Sequence, residues 1–104
     1  MNIHELKEMN FDEAIDLLET RLVDMRTAIE ETRKKIEQGE YGADKHEIEA
    51  RFASLKQDHA ALEEKMEKLR ELRAEALSGA NDNFLTELLG LFDSIGERIE
   101  KLFE

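Results

Sequence analysis

The chain has 104 residues, enough for one domain, and 39% of them are charged, with a net charge of −11. It holds no cysteine, tryptophan or proline, which excludes disulfides and thiolate chemistry and favours long uninterrupted helices. The acidity is spread along the chain and no segment is basic, so a phosphate-tracking surface for nucleic acid is not expected.

Residues 1–10 read as an N-terminal extension, without the apolar run of a signal peptide. No stretch approaches the roughly 18 consecutive apolar residues of a membrane span, so the expectation is a soluble, cytoplasmic protein.

Asn10, with Glu13 three residues on, is a capping-box-like start for a first helix. Its apolar positions are Phe11, Ile15, Leu18, Leu22, Met25, Ile29, Thr32 and Ile36, alternating steps of four and three, which is a heptad seam. Gly39 is the predicted stop, and Gly39-Glu40-Tyr41-Gly42-Ala43 the predicted turn. Asp44, again with Glu47 three residues on, opens a second helix whose seam runs Ile48, Phe52, Leu55, His59, Leu62, Met66, Leu69 and Arg73. That helix is predicted to continue to about Leu77, with Gly79 as its stop signal. Glu30–Lys34, Glu31–Lys35, Glu47–Arg51 and Glu64–Lys68 are favourable pairs one turn apart.

The two seams mirror each other about Gly42: Ile36 with Ile48, Thr32 with Phe52, Met25 with His59, Leu22 with Leu62, Ile15 with Leu69, Phe11 with Arg73. Two helices folded back on each other through a short turn produce this pattern. The fold class is therefore all-α: an antiparallel coiled-coil helical hairpin over residues 11–79, followed by a C-terminal amphipathic helix over residues 80–104. Parallel self-pairing would instead stack Thr32 on Thr32 and His59 on His59.

Asp82 or Asn83 is the expected N-cap of the third helix, which runs from Phe84 to about Phe103. Its apolar arc of about 160° is far wider than a coiled-coil seam. One side of that arc mirrors the second helix about Ala80–Asn81, pairing Leu69 with Phe92 and Met66 with Ile95, so the helix could fold back. Near the open end of the hairpin Ala14, Leu17, Leu72, Ala76 and Leu77 offer apolar surface; towards the turn Arg21, Arg26, Lys56, Asp58, Glu63 and Lys65 occupy the flanks. The expectation is that the stretch from Ile95 to Phe103 exposes more apolar area than the hairpin covers, the mark of an interface. Either a three-helix bundle or a helix-mediated oligomer satisfies the pattern.

Candidate chemistry is sparse. His4, His46 and His59 are the only imidazoles and none has zinc-ligand spacing; His46-Glu47 beside Asp44 is explained by a capped helix start. Glu63, Glu64, Glu67, Glu71 and Glu75 read as a solvated face, since a two-helix hairpin offers no cavity to perturb them. No metal, cofactor or catalytic site is expected. His59 and Arg73 are the polar residues on the seam, the first read as fixing register and the second as snorkelling past or stacking on Phe11.

The functional expectation is a small non-enzymatic structural or adaptor protein. It would self-associate or bind a partner helix through Leu88, Leu89, Leu91, Phe92, Ile95, Ile99, Leu102 and Phe103. A helical chaperone or assembly factor, gripping a client's amphipathic segment on the same face, is the second reading. The segment from Gly90-Leu91-Phe92-Asp93-Ser94-Ile95-Gly96 to Phe103 also resembles short membrane-active amphipathic peptides of the frog-skin kind, which implies attachment to a membrane surface. Those peptides are cationic, whereas this helix carries Glu87, Asp93, Glu97, Glu100 and Glu104 against Arg98 and Lys101, and anionic lipid would repel it.

Overall fold

The computed structural model describes residues 1–39 and 44–103. Among them are four α-helices: α1 (Ile3–Lys7), α2 (Phe11–Glu37), α3 (Lys45–Leu72) and α4 (Asp82–Lys101). The fold is an all-α bundle measuring 45 × 21 × 20 Å, its length matching a hairpin of two helices of 27 and 28 residues. The predicted turn residues after Gly39 lie outside the described residues.

Local chemistry sets three of the helix starts in one way. The side chains of Asn2, Asn10 and Asp44 accept from the backbone N–H groups of Glu5 (3.0 Å), Glu13 (2.9 Å) and Glu47 (3.2 Å). Each thereby satisfies a donor that the first turn of a helix leaves unpaired. At the other end of α2, Gln38 and Gly39 donate to Lys34 and Ile36, and Gly39 takes φ +73°, which costs a residue without a Cβ little.

Two ion pairs fix the hairpin as antiparallel: Arg26 Nε to Glu63 at 2.7 Å and Arg70 Nε to Glu19 at 2.7 Å. In the heptad frame of the seam all four residues are e positions, so both pairs report one register. The same register sets Arg33 opposite Lys56, and Arg33 turns instead to Glu30 and Glu37 of its own helix. That contact holds the Glu30 carboxyl below its usual range, through the Arg33 hydrogen bond above all. Of the predicted one-turn pairs, Glu47–Arg51 forms, while Glu30 takes Arg33 as its hydrogen-bond partner. Leu18, Leu22, Met25, Leu55, Leu62, Met66 and Leu69 of the seam are buried. Thr32, 5% exposed, satisfies its hydroxyl by donating to Ala28 O at 2.8 Å.

Three boundaries differ from expectation. Residues 1–10 are not a bare extension: α1 folds over α4 and buries Leu6 completely. The α-helical part of α3 ends at Leu72 rather than Leu77; Arg73–Leu77 and Gly79–Asn81 form two 3₁₀ turns. Finally, α4 begins at Asp82, ahead of the predicted start at Phe84, and its N-cap position, Asn81, makes no side-chain capping bond. Asn81 spends its amide on Glu75 O at 2.9 Å, tying the connector together.

Arg73 carries this change of direction. It takes φ 53° and ψ −136°, a region that a residue with a Cβ seldom enters, and donates its N–H to Leu69 O. Arg73 is exposed and borders a shallow depression that Phe11, Asn10 and Arg70 also line. Arg73→Gly should therefore stabilise the protein by about 1 kcal/mol, the relief of strain exceeding the extra chain entropy of glycine. A higher urea midpoint at unchanged slope would show it; an unchanged or lower midpoint would deny the strain.

Candidate interaction site: the groove that holds the C-terminal helix

The apolar arc of α4 lies on the hairpin. Leu85, Leu88, Phe92 and Ile95 are 0% exposed and Leu89 and Leu102 nearly so. All of these but Leu102 share one apolar cluster with Leu18, Leu22, Leu62, Met66, Leu69 and Ala76, and α1 adds Leu6. Leu102 is buried at the far end. Of the eight residues expected to form an open interface, Leu88, Leu89, Phe92, Ile95 and Leu102 are thus inside the chain's own fold, while Leu91, Ile99 and Phe103 are half-buried. The expected excess of exposed apolar surface is absent: among the described residues the exposed large apolar side chain is Val23 of α2.

The flanks that were expected to keep α4 away instead grip its edges. The Arg21 guanidinium lies 4.9 Å from the centre of the Phe92 ring, and its tip approaches Asp93 at 3.4 Å. Lys65 and Lys68 sit 5.6 and 5.1 Å from the Phe84 ring centre, and Lys65 Nζ reaches Glu87 at 3.0 Å. Further along, Arg98 pairs with Asp58 and donates to Ser54 Oγ at 2.9 Å, and Arg51 donates to Leu102 O at 3.1 Å. Lys7 of α1 pairs with Asp82 at the other end. As residue numbers on α3 fall from Lys65 to Arg51, their partners on α4 rise from Glu87 to Leu102, so α4 runs antiparallel to α3. Long cationic side chains cover apolar surface with their stems while their heads remain wet, which is why charged flanks are no barrier.

The groove between α2 and α3 is thus filled by a helix of the same chain. Where α2 and α4 separate, beyond Ile95, Met25, Ala28, Gly96 and Ile99 line a shallow trough rimmed by Arg21, Asp24 and Glu100. A Cβ on Gly96 would meet nothing within 4 Å there.

His59 is the polar feature of the neighbouring seam. Its Nε2 is buried without a hydrogen-bond partner, and the nearest carboxylate oxygen, on Glu63 at 3.7 Å, already accepts from Arg26. Burial, reinforced by the charge of Arg26 and opposed by that of Glu63, pushes the imidazole below its ordinary value of 6.5. A depressed histidine means the unfolded chain binds more protons, so this residue's contribution to stability is complete above about pH 6.5 and is lost as pH falls. His59→Leu should raise stability at neutral pH by about 1 kcal/mol, by removing the orphaned nitrogen. It should also flatten the stability curve below neutrality. A variant retaining the full acid-side slope would show that other groups carry it.

Among the described residues no three His, Asp or Glu side chains converge as a metal-ligand set. Asp44 is occupied as a cap, and His46 and Glu47 are exposed. No helix among the described residues is long and apolar enough to cross a membrane. No protein-family model, curated protein or solved structure matches the chain.

Proposed function

We propose that this chain is a small non-enzymatic adaptor whose hairpin binds an amphipathic helix, with α4 as the resident ligand and a partner's helix as its competitor. The observation that carries this reading is how α4 is held. Its N-cap position makes no side-chain capping bond, unlike those of α1, α2 and α3. It is fastened by burial of one apolar face and by exposed ion pairs along the edges, each worth little alone. Such a helix exchanges with others of like pattern: apolar residues at i, i+3, i+4 and i+7, with an acidic residue to meet Lys65 and a basic one to meet Asp58.

A peptide of residues 82–103 tests the reading on a chain whose own α4 has been weakened by Phe92→Ala. Because a ligand that binds only the folded state raises stability with its concentration, the peptide should raise the melting temperature of this variant in a saturable manner. The same peptide carrying Phe92→Asp should not. If neither peptide moves the transition, the hairpin is not a helix receptor.

A further inference from the structure

We infer that a second copy of this chain is a partner for the groove: two chains exchange α4 through the connector Arg73–Asn81. This rests on the reading of α4 as a detachable helix. The connector begins with Arg73-Ala74-Glu75-Ala76-Leu77, residues that all rank among the best helix formers. Yet α3 breaks at Arg73 with φ 53°, and the five residues Arg73–Leu77 form a 3₁₀ turn instead of continuing the helix. Local preference and the folded-back topology disagree at this point, and the disagreement disappears if α3 runs straight to Leu77.

The remainder of the connector can extend. Ser78 is already in an extended conformation, with φ −74° and ψ 156°, Gly79 follows it, and no proline fixes the path. The side-chain hydrogen bonds of the connector run from Asn81 to Glu75 O and Ser78 Oγ, within the connector itself. Opening it therefore breaks no side-chain hydrogen bond to the hairpin, and costs the packing of Ala76 and Leu77 against the core unless the straightened α3 buries them again.

Everything that holds α4 in the closed chain is available in the exchanged pair. The apolar face from Leu85 to Ile95, and the edge contacts Arg21–Asp93, Lys65–Glu87 and Arg98–Asp58, would each form between chains as they form within one. The α1 contact Lys7–Asp82 would do the same. The second copy is thus the partner whose edge charges already match, although each chain carries a net charge of −11. Closed monomer and exchanged dimer differ mainly in the connector, where strain favours exchange, and in the entropy of association, which opposes it. The balance must then shift with protein concentration, and strained hinges promote this kind of swap.

The test uses the full chain, grown separately with light and heavy nitrogen and mixed at concentrations up to millimolar. Light scattering measures the dimer, and a zero-length carbodiimide couples Lys65 to Glu87 where they touch. The expected dimer fraction carries Lys65–Glu87 links that join light to heavy peptides. Arg73→Gly, which both relaxes the bend and weakens the straight helix, should lower the association constant at least tenfold. Arg73→Ala, which keeps the bend strained and the helix favoured, should change it less than threefold. A chain that stays monomeric at every concentration overturns the inference. So does a dimer whose Lys65–Glu87 links are all isotopically pure, or an association constant that Arg73→Gly leaves unchanged. If the α4 peptide binds but no exchange occurs, this inference alone falls; if the peptide does not bind, the reading beneath it falls as well.

Discussion

Phe92→Ala is expected to destabilise the monomer by about 3–5 kcal/mol, the usual cost of truncating a fully buried phenylalanine. Phe92 is among the largest fully buried side chains of the chain and lies at the middle of the α4 face, between Leu88, Leu89 and Ile95. Three losses combine in this variant. Transfer of the ring from water is forfeited, a cavity opens between α4 and the hairpin, and Arg21 loses the ring face it covers at 4.9 Å. Against a typical domain stability of about 5–15 kcal/mol, a loss of this size is a large fraction of the total. Urea unfolding followed by circular dichroism measures it directly. If Phe92 were instead a solvent-facing anchor awaiting a partner, the variant would unfold at nearly the wild-type midpoint.

Leu6→Ala is the second large effect, at about 2–4 kcal/mol, although Leu6 lies in a helix of five residues near the chain end. So short a helix has no stability of its own in water, and α1 exists because packing holds it. Leu6 is 0% exposed within the core cluster, Met1, Ile3 and Met9 pack against that cluster, and Lys7 pairs with Asp82 at the start of α4. Loss of the leucine should therefore release the whole segment, and the amides of residues 3–9 should exchange with solvent faster than those of α2. Val23→Ala is the control: at 53% exposure it should change stability by less than about 0.5 kcal/mol. A Leu6→Ala variant as mild as that control would mean that α1 does not cover α4.

The parts of the fold that follow local rules were legible in the sequence. The seam from Leu18 to Met25 faces the seam from Leu55 to Leu69 because a heptad repeat admits one buried stripe per helix, and the mirror about Gly42 fixes its sense. Asn10 with Glu13 and Asp44 with Glu47 mark helix starts for a reason of hydrogen bonding alone. The same signal stands at Asn2 with Glu5, yet five residues are too few to show a period, and α1 passed for an extension.

Where tertiary structure overrides local preference, the sequence misleads. Arg73–Leu77 has the composition of a helix and becomes a 3₁₀ turn because α4 must fold back. The α4 residues themselves were identifiable as a contact face, since their arc is too wide for solvent. What covers them was not: amphipathicity says which residues seek burial, and only the geometry of the flanks says who supplies it. Charge alone makes Arg21, Asp58 and Lys65 look like obstacles, whereas their stems and heads make the walls of the groove.

In the dilute protein the α4 face is docked on the chain's own hairpin. The native pairs Lys65–Glu87 and Lys7–Asp82 allow a direct test, because carbodiimide joins an amine to a carboxylate only where the two touch. At micromolar concentration the cross-linked monomer should yield both isopeptides, Lys65 to Glu87 and Lys7 to Asp82, on peptide mass mapping. A monomer whose Lys65 and Lys7 are coupled to other carboxylates, with neither link to α4, would contradict the docked arrangement.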